Sequence, residues 1–286
     1  MREFLRLDNK LTLKLKIKPV SPLNIKLGAD TKNVVALLTT ESSSETKIDV
    51  EKGDIIQDRR EGEIYIPGST LKGLFKNRFI IMNGGEKKKE EDPAIKNLFG
   101  YSEDDNSLKG RIFLQDAYFA DEKLRKEIYE NVRELKEFIK TRAITPIDHF
   151  TGKVKDPLKF EYTVEEFLTE IIVNNVTLDE LQKLFFVVRD SKLGEIRIGN
   201  SKTRGFGEIA FEIEELRFDN YIGKNSFFEP LKQYFTRDID NSIKIGNKYL
   251  CESMVLQKEY KNIDVENKSE VKEPNNFIKA LFKEVK

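Results

Sequence analysis

Hydrophobic and polar residues alternate near the start of the chain. In residues 11–17, leucine or isoleucine at every second position is separated by Thr12 and by lysines. This period of two predicts a half-buried strand with a lysine face, which Pro19 and Pro22 end. Residues 167–173 alternate in the same way and predict another strand.

The patterns between and after these strands predict helices and shorter strands. After a short strand at residues 64–66, Pro67-Gly68 predicts a turn and Ser69 a helix cap, followed by a helix with an apolar stripe. Thr177 caps a second predicted helix. The remaining predictions are a strand at residues 111–117, a charged helix at 121–140, an irregular excursion or hairpin at 141–160, a strand at 209–213 and an amphipathic helix at 277–282.

The order strand, helix, strand, strand, helix, strand is that of the ferredoxin-like βαββαβ pattern with large insertions. We therefore expect an α+β fold in which residues 1–219 form one domain and residues 220–286 a C-terminal extension. Residues 28–62 have a loop-like composition, and a loop of that length indicates either function or disorder. The total of 286 residues suits one large domain or two small ones.

The composition excludes several classes of site. Cys251 is the only cysteine, so an internal disulfide and a cysteine-rich zinc site are impossible. His149 is the only histidine, which excludes HExxH zinc proteases and His-rich metal cages. No apolar run approaches the roughly 20 residues of a membrane span, and the first residues are not a secretory signal. We expect a soluble protein of a reducing compartment, with no membrane partner.

Charge is balanced overall but unevenly distributed. The chain has 50 Lys+Arg and 50 Asp+Glu, yet residues 10–28, 67–85 and 196–207 contain no acid. If the fold joined these segments, a neutral protein would present the basic surface typical of a phosphate-backbone binder. The alternative is that each segment is a solvated face balanced by acids elsewhere in space.

The first candidate for phosphate binding is the segment Ile66-Pro67-Gly68-Ser69-Thr70-Leu71-Lys72-Gly73. Hydroxyls and free N–H groups at a helix N-terminus favour anions, and Lys72 adds a positive charge. The spacing is not that of a Walker A motif, so nucleotide hydrolysis is not implied. The alternative is an ordinary capped helix after a turn.

The second candidate is the segment Gly199-Asn200-Ser201-Lys202-Thr203-Arg204-Gly205-Phe206-Gly207. It offers backbone N–H groups beside two cations, which suits a sugar-phosphate chain. A strand, not a helix, is predicted after it, so it is not a dinucleotide-binding loop. The alternative is a flexible turn.

These two candidates occur in the order in which a known family carries them. Residues 67–73 resemble the helix-opening motif of the RAMP superfamily of CRISPR-associated proteins, and residues 202–207 resemble its glycine-rich loop. The segment from Arg142 to Gly152 is similar to the central motif of the backbone subunits in type III effector complexes. Residues 98–100 with 110–113 also fit, and the resemblance covers about residues 8–216.

The resemblance implies a ferredoxin-like RNA-recognition palm with a protruding thumb hairpin near residues 141–163. Such subunits stack with other RAMP subunits along a CRISPR guide RNA, and their thumbs interrupt the guide–target duplex, so guide RNA and target RNA are the implied partners. Carried over by motif, the residues implied to contact RNA are Ser69, Thr70, Lys72, Lys76, Arg142, Phe150, Lys153, Lys155, Asn200, Ser201, Lys202 and Arg204, with Val154 as an alternative wedge to Phe150. His149 stands where the family usually has arginine.

Many of these subunits cut target RNA with one loop aspartate and a divalent metal, and the resemblance implies Asp49, or else Asp54, at that position. A carboxylate there would bind Mg²⁺ or Mn²⁺ weakly until RNA supplies further oxygens. The alternative is that these acids only keep the loop soluble, and the chain is then a non-catalytic backbone or capping subunit. A metal-independent guide-processing endoribonuclease that uses His149 is a third hypothesis, and a ferredoxin-like interaction module with no RNA role is a fourth. The family implies a prokaryotic cytoplasm.

Overall fold

The alternating segment near the start of the chain forms the central strand of the fold. The computed structural model describes residues 6–25, 40–41, 63–84, 92–103, 106–130, 133, 135–145, 158–221, 227–245, 248–256 and 276–283. Strand β1 spans Asn9–Pro19, and Leu11, Leu13, Leu15 and Ile17 are at most 2% exposed. The strand predicted from this alternation is confirmed.

Both strands and helices occur in the described ranges, so the fold is mixed α+β as expected. The other strands are β2 (Thr40–Glu41), β3 (Glu63–Ile66), β4 (Tyr101–Glu103), β5 (Asn106–Leu108), β6 (Ile112–Leu114), β7 (Ala117–Phe119), β8 (Lys140–Ile144), β9 (Leu158–Tyr162), β10 (Phe167–Asn174), β11 (Ile209–Tyr221), β12 (Phe235–Arg237), β13 (Ile243–Ile245) and β14 (Lys248–Leu256). The α-helices are α1 (Gly68–Met82), α2 (Pro93–Phe99), α3 (Glu122–Tyr129), α4 (Leu178–Lys192) and α5 (Asn276–Leu281). Short 3₁₀ turns occupy Leu135–Phe138, Lys202–Arg204 and Lys232–Tyr234.

A large antiparallel sheet organises these segments. β1 lies between β10 and β11, so that Leu13 faces Ile171 on one side and Leu216 on the other. From edge to edge the order is β12-β14-β11-β1-β10-β7-β3-β2, with β6 also paired to β10 and β13 to β14. The strand predicted at residues 167–173 is thus confirmed as β10, next to the first strand of the chain.

Helices α1 and α4 pack on the apolar face of this sheet. Every second residue of β10, beginning with Phe167, is buried, and the ring centroid of Phe75 in α1 lies 5.6 Å from that of Phe211 in β11. At the start of α4, the Thr177 side chain accepts the Glu180 N–H and the Glu180 side chain accepts the Thr177 N–H. This reciprocal cap confirms the second predicted helix and Thr177 as its N-cap.

Two predicted elements are shorter in the structure. The strand predicted at residues 111–117 is divided into β6 and β7, and Asp116 in the connection between them accepts the Gly68 N–H at the start of α1. The charged helix predicted at residues 121–140 ends at Tyr129. Leu124 is buried on α3, whereas most of its other side chains are charged, so little apolar packing supports a longer helix.

The strands of the predicted hairpin pair, and the C-terminal segment adds strands to the main sheet. β8 and β9 pair along their full lengths. Beyond β11, strands β14, β12 and β13 extend the same sheet, and α5 packs on α4 with the rings of Phe277 and Phe185 5.7 Å apart. The amphipathic helix predicted near the end is confirmed as α5. In the ranges that the structure describes, we find no helix with the length and apolarity that a membrane crossing needs.

Candidate nucleic-acid interface

The start of α1 is capped by a residue distant in sequence. The helix begins at Gly68, after Pro67, and Ser69 does not cap it. Instead, the Gly68 N–H donates to Asp116 Oδ1 over 2.6 Å, so a carboxylate of the protein occupies the position where the sequence predicts an anion. A Cβ on Gly68 would lie 2.4 Å from the Leu114 carbonyl oxygen. The prediction that Ser69 caps the helix is wrong, because Asp116, in the connection between β6 and β7, lies at the N-terminus of α1 and accepts the hydrogen bond there.

Two lysines lie on one flank of α1. Lys72 and Lys76 are about one turn apart and half-buried, and the exposed Ser69 and half-buried Thr70 precede them. Burial lowers the pKa of Lys72, and the neighbouring charge of Lys76 lowers it further. Among the residues that the structure describes, no carboxylate pairs with either lysine. Two ammonium groups that are close together and not neutralised attract an anion such as a phosphate.

The glycine-rich segment, residues 199–207, has a fixed shape. Gly199 and Gly207 have φ angles of +79° and +82°. A Cβ would lie 2.1 Å from the Asn24 carbonyl oxygen at Gly199 and 2.0 Å from the Ile198 carbonyl oxygen at Gly207. Glycine is required at both positions, because any side chain would be strained by the backbone angle and would collide with a carbonyl oxygen.

Hydrogen bonds hold this glycine-rich segment against the residues after β1. The Asn200 N–H donates to the Asn24 carbonyl oxygen over 2.8 Å, and the Gly207 N–H donates to the Pro22 carbonyl oxygen over 2.9 Å. Arg197, two residues before the segment, donates from Nη1 to the Lys202 carbonyl oxygen over 3.0 Å. Hydrogen bonds therefore fix the conformation of this segment, unlike that of the flexible turn that the sequence allowed as an alternative.

Two cations project from the glycine-rich segment. Lys202 and Arg204 lie in its 3₁₀ turn and are exposed. Neither pairs with a carboxylate in the described part of the chain. Asn200 and Ser201 are half-buried, and the backbone N–H of Asn200 already donates to the Asn24 carbonyl oxygen. Of the four residues predicted here, Lys202 and Arg204 are the ones that the geometry offers to a ligand.

Phe206 joins the glycine-rich segment to the stem of the β8–β9 hairpin. Its side chain is fully buried, and its ring centroid lies 5.8 Å from that of Phe160 and 6.2 Å from that of Tyr162. The exposed guanidinium of Arg142 lies over the same ring, 5.5 Å from its centroid. The structure thus brings Arg142, a predicted RNA contact of the hairpin, to the segment that carries the two exposed cations.

Helix α1 contacts residues that flank the glycine-rich segment on either side. Arg78 Nη2 lies 2.6 Å from Asp190 Oδ2 in α4 and 2.6 Å from Glu195 Oε2, shortly before the segment. Phe75 packs on Phe211, shortly after it. The sequence places Arg78 in an acid-free window, but the fold neutralises it from α4 and uses it to fix the helix. Sequence reasoning missed this role because both acids lie more than a hundred residues away.

The lysine face of β1 is not a free basic surface. The ion pairs are Lys14–Glu215 at 3.9 Å, Lys16–Glu214 at 3.2 Å and Lys18–Glu212 at 2.7 Å. β11 runs antiparallel beside β1, so its acids reach the same face of the sheet. For β1, the alternative prediction is therefore correct: acids that are distant in sequence balance its lysine face. The prediction of one basic surface that joins residues 10–28, 67–85 and 196–207 is wrong.

Several predicted site residues lie outside the described residues. These are the candidate catalytic Asp49 and Asp54 and the hairpin residues His149, Phe150, Lys153, Val154 and Lys155. Within the described ranges, no three His, Cys, Asp or Glu side chains form a group that could hold a metal ion.

Comparison with known proteins gives a family match. The sequence model of the RAMP superfamily matches residues 16–210. Among solved structures, a chain in the cryo-EM structure of a type III-B Cmr-beta bound to cognate target RNA is similar, with a TM-score of 0.42 and 11% sequence identity, over 71% of this chain and 96% of that chain. That score is too low to establish a shared fold. No curated protein matches the sequence.

Proposed function

The chain belongs to the RAMP superfamily, whose sequence model matches more than half of it, and from this premise we propose that it is a guide-RNA-binding backbone subunit of a type III CRISPR effector complex. Its partners are then guide RNA, target RNA and other RAMP subunits. The proposal includes a ferredoxin-like palm with the β8–β9 hairpin as the base of a thumb. The strand order β11-β1-β10-β6, with α1 and α4 between strands along the chain, supports this palm.

The observation that carries the proposal is a set of cations that no carboxylate of the described residues neutralises. Lys72 and Lys76 lie on α1, and Lys202 and Arg204 lie on the glycine-rich segment, whose flanking residues contact α1. Cations in this state bind phosphates and release counterions. Phosphate contacts carry no base information, so pairing between guide and target reads the sequence, as in other RNA-guided systems.

The same contacts favour one path for RNA over another. The path that we propose follows α1, the glycine-rich segment and Arg142 on the hairpin stem. The lysine face of β1 is the less favourable surface, because Glu212, Glu214 and Glu215 already neutralise it and would repel phosphates.

Binding of the full chain to a fluorescein-labelled single-stranded RNA tests this proposal. The logarithm of the affinity should fall with the logarithm of salt concentration, by about 0.7 for each phosphate contact. Arg204→Gln should weaken binding and flatten that slope. Arg237→Gln is the matched control, because Arg237 is exposed and already paired with Glu252. Absent or salt-independent binding by the unmodified chain would contradict the proposal.

For cleavage, we propose Asp49 as the catalytic carboxylate, with Asp54 as the alternative and Mg²⁺ or Mn²⁺ as the cofactor. The bound cation would supply positive charge that stabilises the transferring phosphoryl group. The part of the aspartate is to hold that cation beside the scissile phosphate. One carboxylate is a sparse metal site, so the remaining oxygen ligands would come from RNA and water.

Alanine substitutions in the assembled complex separate this proposal from its rivals. Loss of target cleavage at this subunit's positions in Asp49→Ala or Asp54→Ala, but not in the neighbouring Asp58→Ala, supports a slicing subunit. Continued cleavage in both variants would show that the chain is a non-catalytic scaffold or capping subunit. Metal-independent cleavage of repeat RNA by the isolated protein, lost in His149→Ala, would instead identify a processing endoribonuclease.

A further inference from the structure

Phe206 has an unusual position for a large apolar residue. Its neighbours Gly205 and Gly207 have φ angles of +80° and +82°, and residues 202–205 are exposed. Phe206 itself is 0% exposed. The backbone therefore reverses at two glycines so that one ring leaves an exposed turn and enters the protein.

The surface that receives the ring belongs to the hairpin stem. Phe160 and Tyr162, on one side of β9, pack on Phe206. Arg142 of β8 is the register partner of Phe160 and covers the ring from outside, with its guanidinium 5.5 Å from the centroid. A guanidinium held over a ring has fewer orientations, and its N–H groups stay available for a phosphate.

Hydrogen bonds of Leu23 and Asn24 also link the glycine-rich segment to the hairpin stem. The Asn24 carbonyl oxygen accepts the Asn200 N–H of the glycine-rich segment, and Asn24 Nδ2 donates to the Glu161 carbonyl oxygen of β9 over 2.5 Å. Leu23 and Thr163 exchange two backbone hydrogen bonds, of 2.9 and 3.0 Å. The segment after β1, the hairpin stem and the glycine-rich segment thus contact one another pairwise, which limits independent movement of any one of them.

We propose that Phe206 is a positioning residue that fixes Arg142 of the hairpin relative to Lys202 and Arg204 of the glycine-rich segment, so that hairpin and segment bind phosphates of one RNA strand as a single unit. This inference rests on the proposed function. Phe206 is buried and touches no RNA itself. It acts by holding the Arg142 guanidinium where it reaches the strand that Lys202 and Arg204 bind, so that without the ring this one phosphate contact is not made.

RNA-binding titrations of the full chain, repeated over a salt series, test this role. Arg142→Gln removes one phosphate contact, which flattens the salt slope by about 0.7 and weakens affinity about fivefold at about 0.1 M salt. Phe206→Leu should have the same effect although it removes no charge. Combining the two substitutions should weaken binding no further than Arg142→Gln alone. A role confined to stability would leave the salt slope unchanged.

Two further variants control for damage to the fold. Phe277→Leu removes an equally buried ring, which lies in α5 and packs on Phe185 of α4. This variant should have a lower melting temperature and an unchanged RNA affinity. Arg142→Lys leaves the core intact and keeps the charge, but it loses the guanidinium that lies over the Phe206 ring. Binding should therefore weaken in the unmodified background, whereas in the Phe206→Leu background arginine and lysine should perform equally.

Three results would overturn the inference. The first is unchanged RNA affinity and slope in Phe206→Leu while Arg142→Gln is weakened. The second is equal loss of affinity in Phe206→Leu and Phe277→Leu. In both cases the unmodified chain still binds RNA and the proposed function survives. The third is no salt-dependent RNA binding by the unmodified chain, and that result overturns both proposals.

Discussion

Replacing Lys72 by methionine should weaken RNA binding without destabilising the fold. Lys72 is a half-buried cation beside Lys76 on α1, and no carboxylate of the described residues pairs with it. Methionine keeps the aliphatic volume of the side chain and removes only the charge. The substitution therefore tests whether this lysine serves a ligand or the fold.

The size of the binding effect follows from counterion release. Each phosphate contact on a single strand contributes about 0.7 to the slope of log affinity against log salt. At about 0.1 M salt the loss of one contact corresponds to about a fivefold weaker affinity, and the loss of both lysines to about 25-fold.

Lys72→Met should not lower the melting temperature, whereas replacing an ordinary partly buried residue usually does. Burial and the charge of Lys76 lower the pKa of Lys72 in the folded chain. Between the lowered pKa and the ordinary one, the unfolded chain binds more protons, so stability rises as pH increases through the lowered pKa. Methionine removes this cost of burying a charge. The melting temperature should therefore stay the same or rise, and this part of the pH dependence should disappear.

Fluorescence anisotropy titrations and thermal unfolding of the same preparations measure both effects. Lys183→Met is the matched control, because Lys183 lies on α4 with a side chain 15% exposed and is already paired with Asp179. We expect the control to bind RNA as the unmodified chain does. Equal affinities for Lys72→Met and Lys183→Met, or a clear drop in melting temperature for Lys72→Met alone, would refute the reasoning.

Four other substitutions separate the roles of single positions. Gly207→Ala should lower both the melting temperature and the RNA affinity, because a Cβ would lie 2.0 Å from a carbonyl oxygen. Gly73→Ala should instead stabilise the protein by about 0.5–1 kcal/mol in urea unfolding, because a Cβ on this residue of α1 meets nothing within 4 Å. Burial raises the pKa of Glu161, so the stability of the fold should fall as pH rises through that raised pKa. Glu161→Gln should therefore be more stable than the unmodified chain at neutral pH. Thermal unfolding at a series of pH values should show a weaker pH dependence for this variant. Lys16→Gln should leave RNA affinity and its salt slope unchanged in anisotropy titrations, because Glu166 and Glu214 already neutralise this lysine.

Local periodicity was sufficient to predict the elements that depend on local burial. The alternation in residues 11–17 and 167–173 identifies β1 and β10, because one face of each strand is fully buried. Thr177 and Glu180 identify the start of α4, because a reciprocal cap involves residues only three apart. The glycine-rich segment was recognised as a candidate site for the same reason, since its glycines and cations lie within nine residues.

Features that depend on distant pairing were not predictable in this way. Asp116 replaces Ser69 at the start of α1 only because the break between β6 and β7 places it there. The acids of β11 neutralise the lysines of β1 only because of the register between strands that are about two hundred residues apart. Phe206 enters the core only because of the positive φ angles of Gly205 and Gly207, and a single residue in a loop carries no periodic signal.

A structure of the full chain bound to single-stranded RNA is the most direct test of whether α1 and the glycine-rich segment hold one strand between them. We predict consecutive phosphates of one continuous strand within hydrogen-bond distance of Lys72 or Lys76 and of Lys202 or Arg204, with Arg142 beside the same strand. RNA that contacts only one of the two elements, or that lies across the face of β1 formed by Lys14, Lys16 and Lys18, would contradict this arrangement.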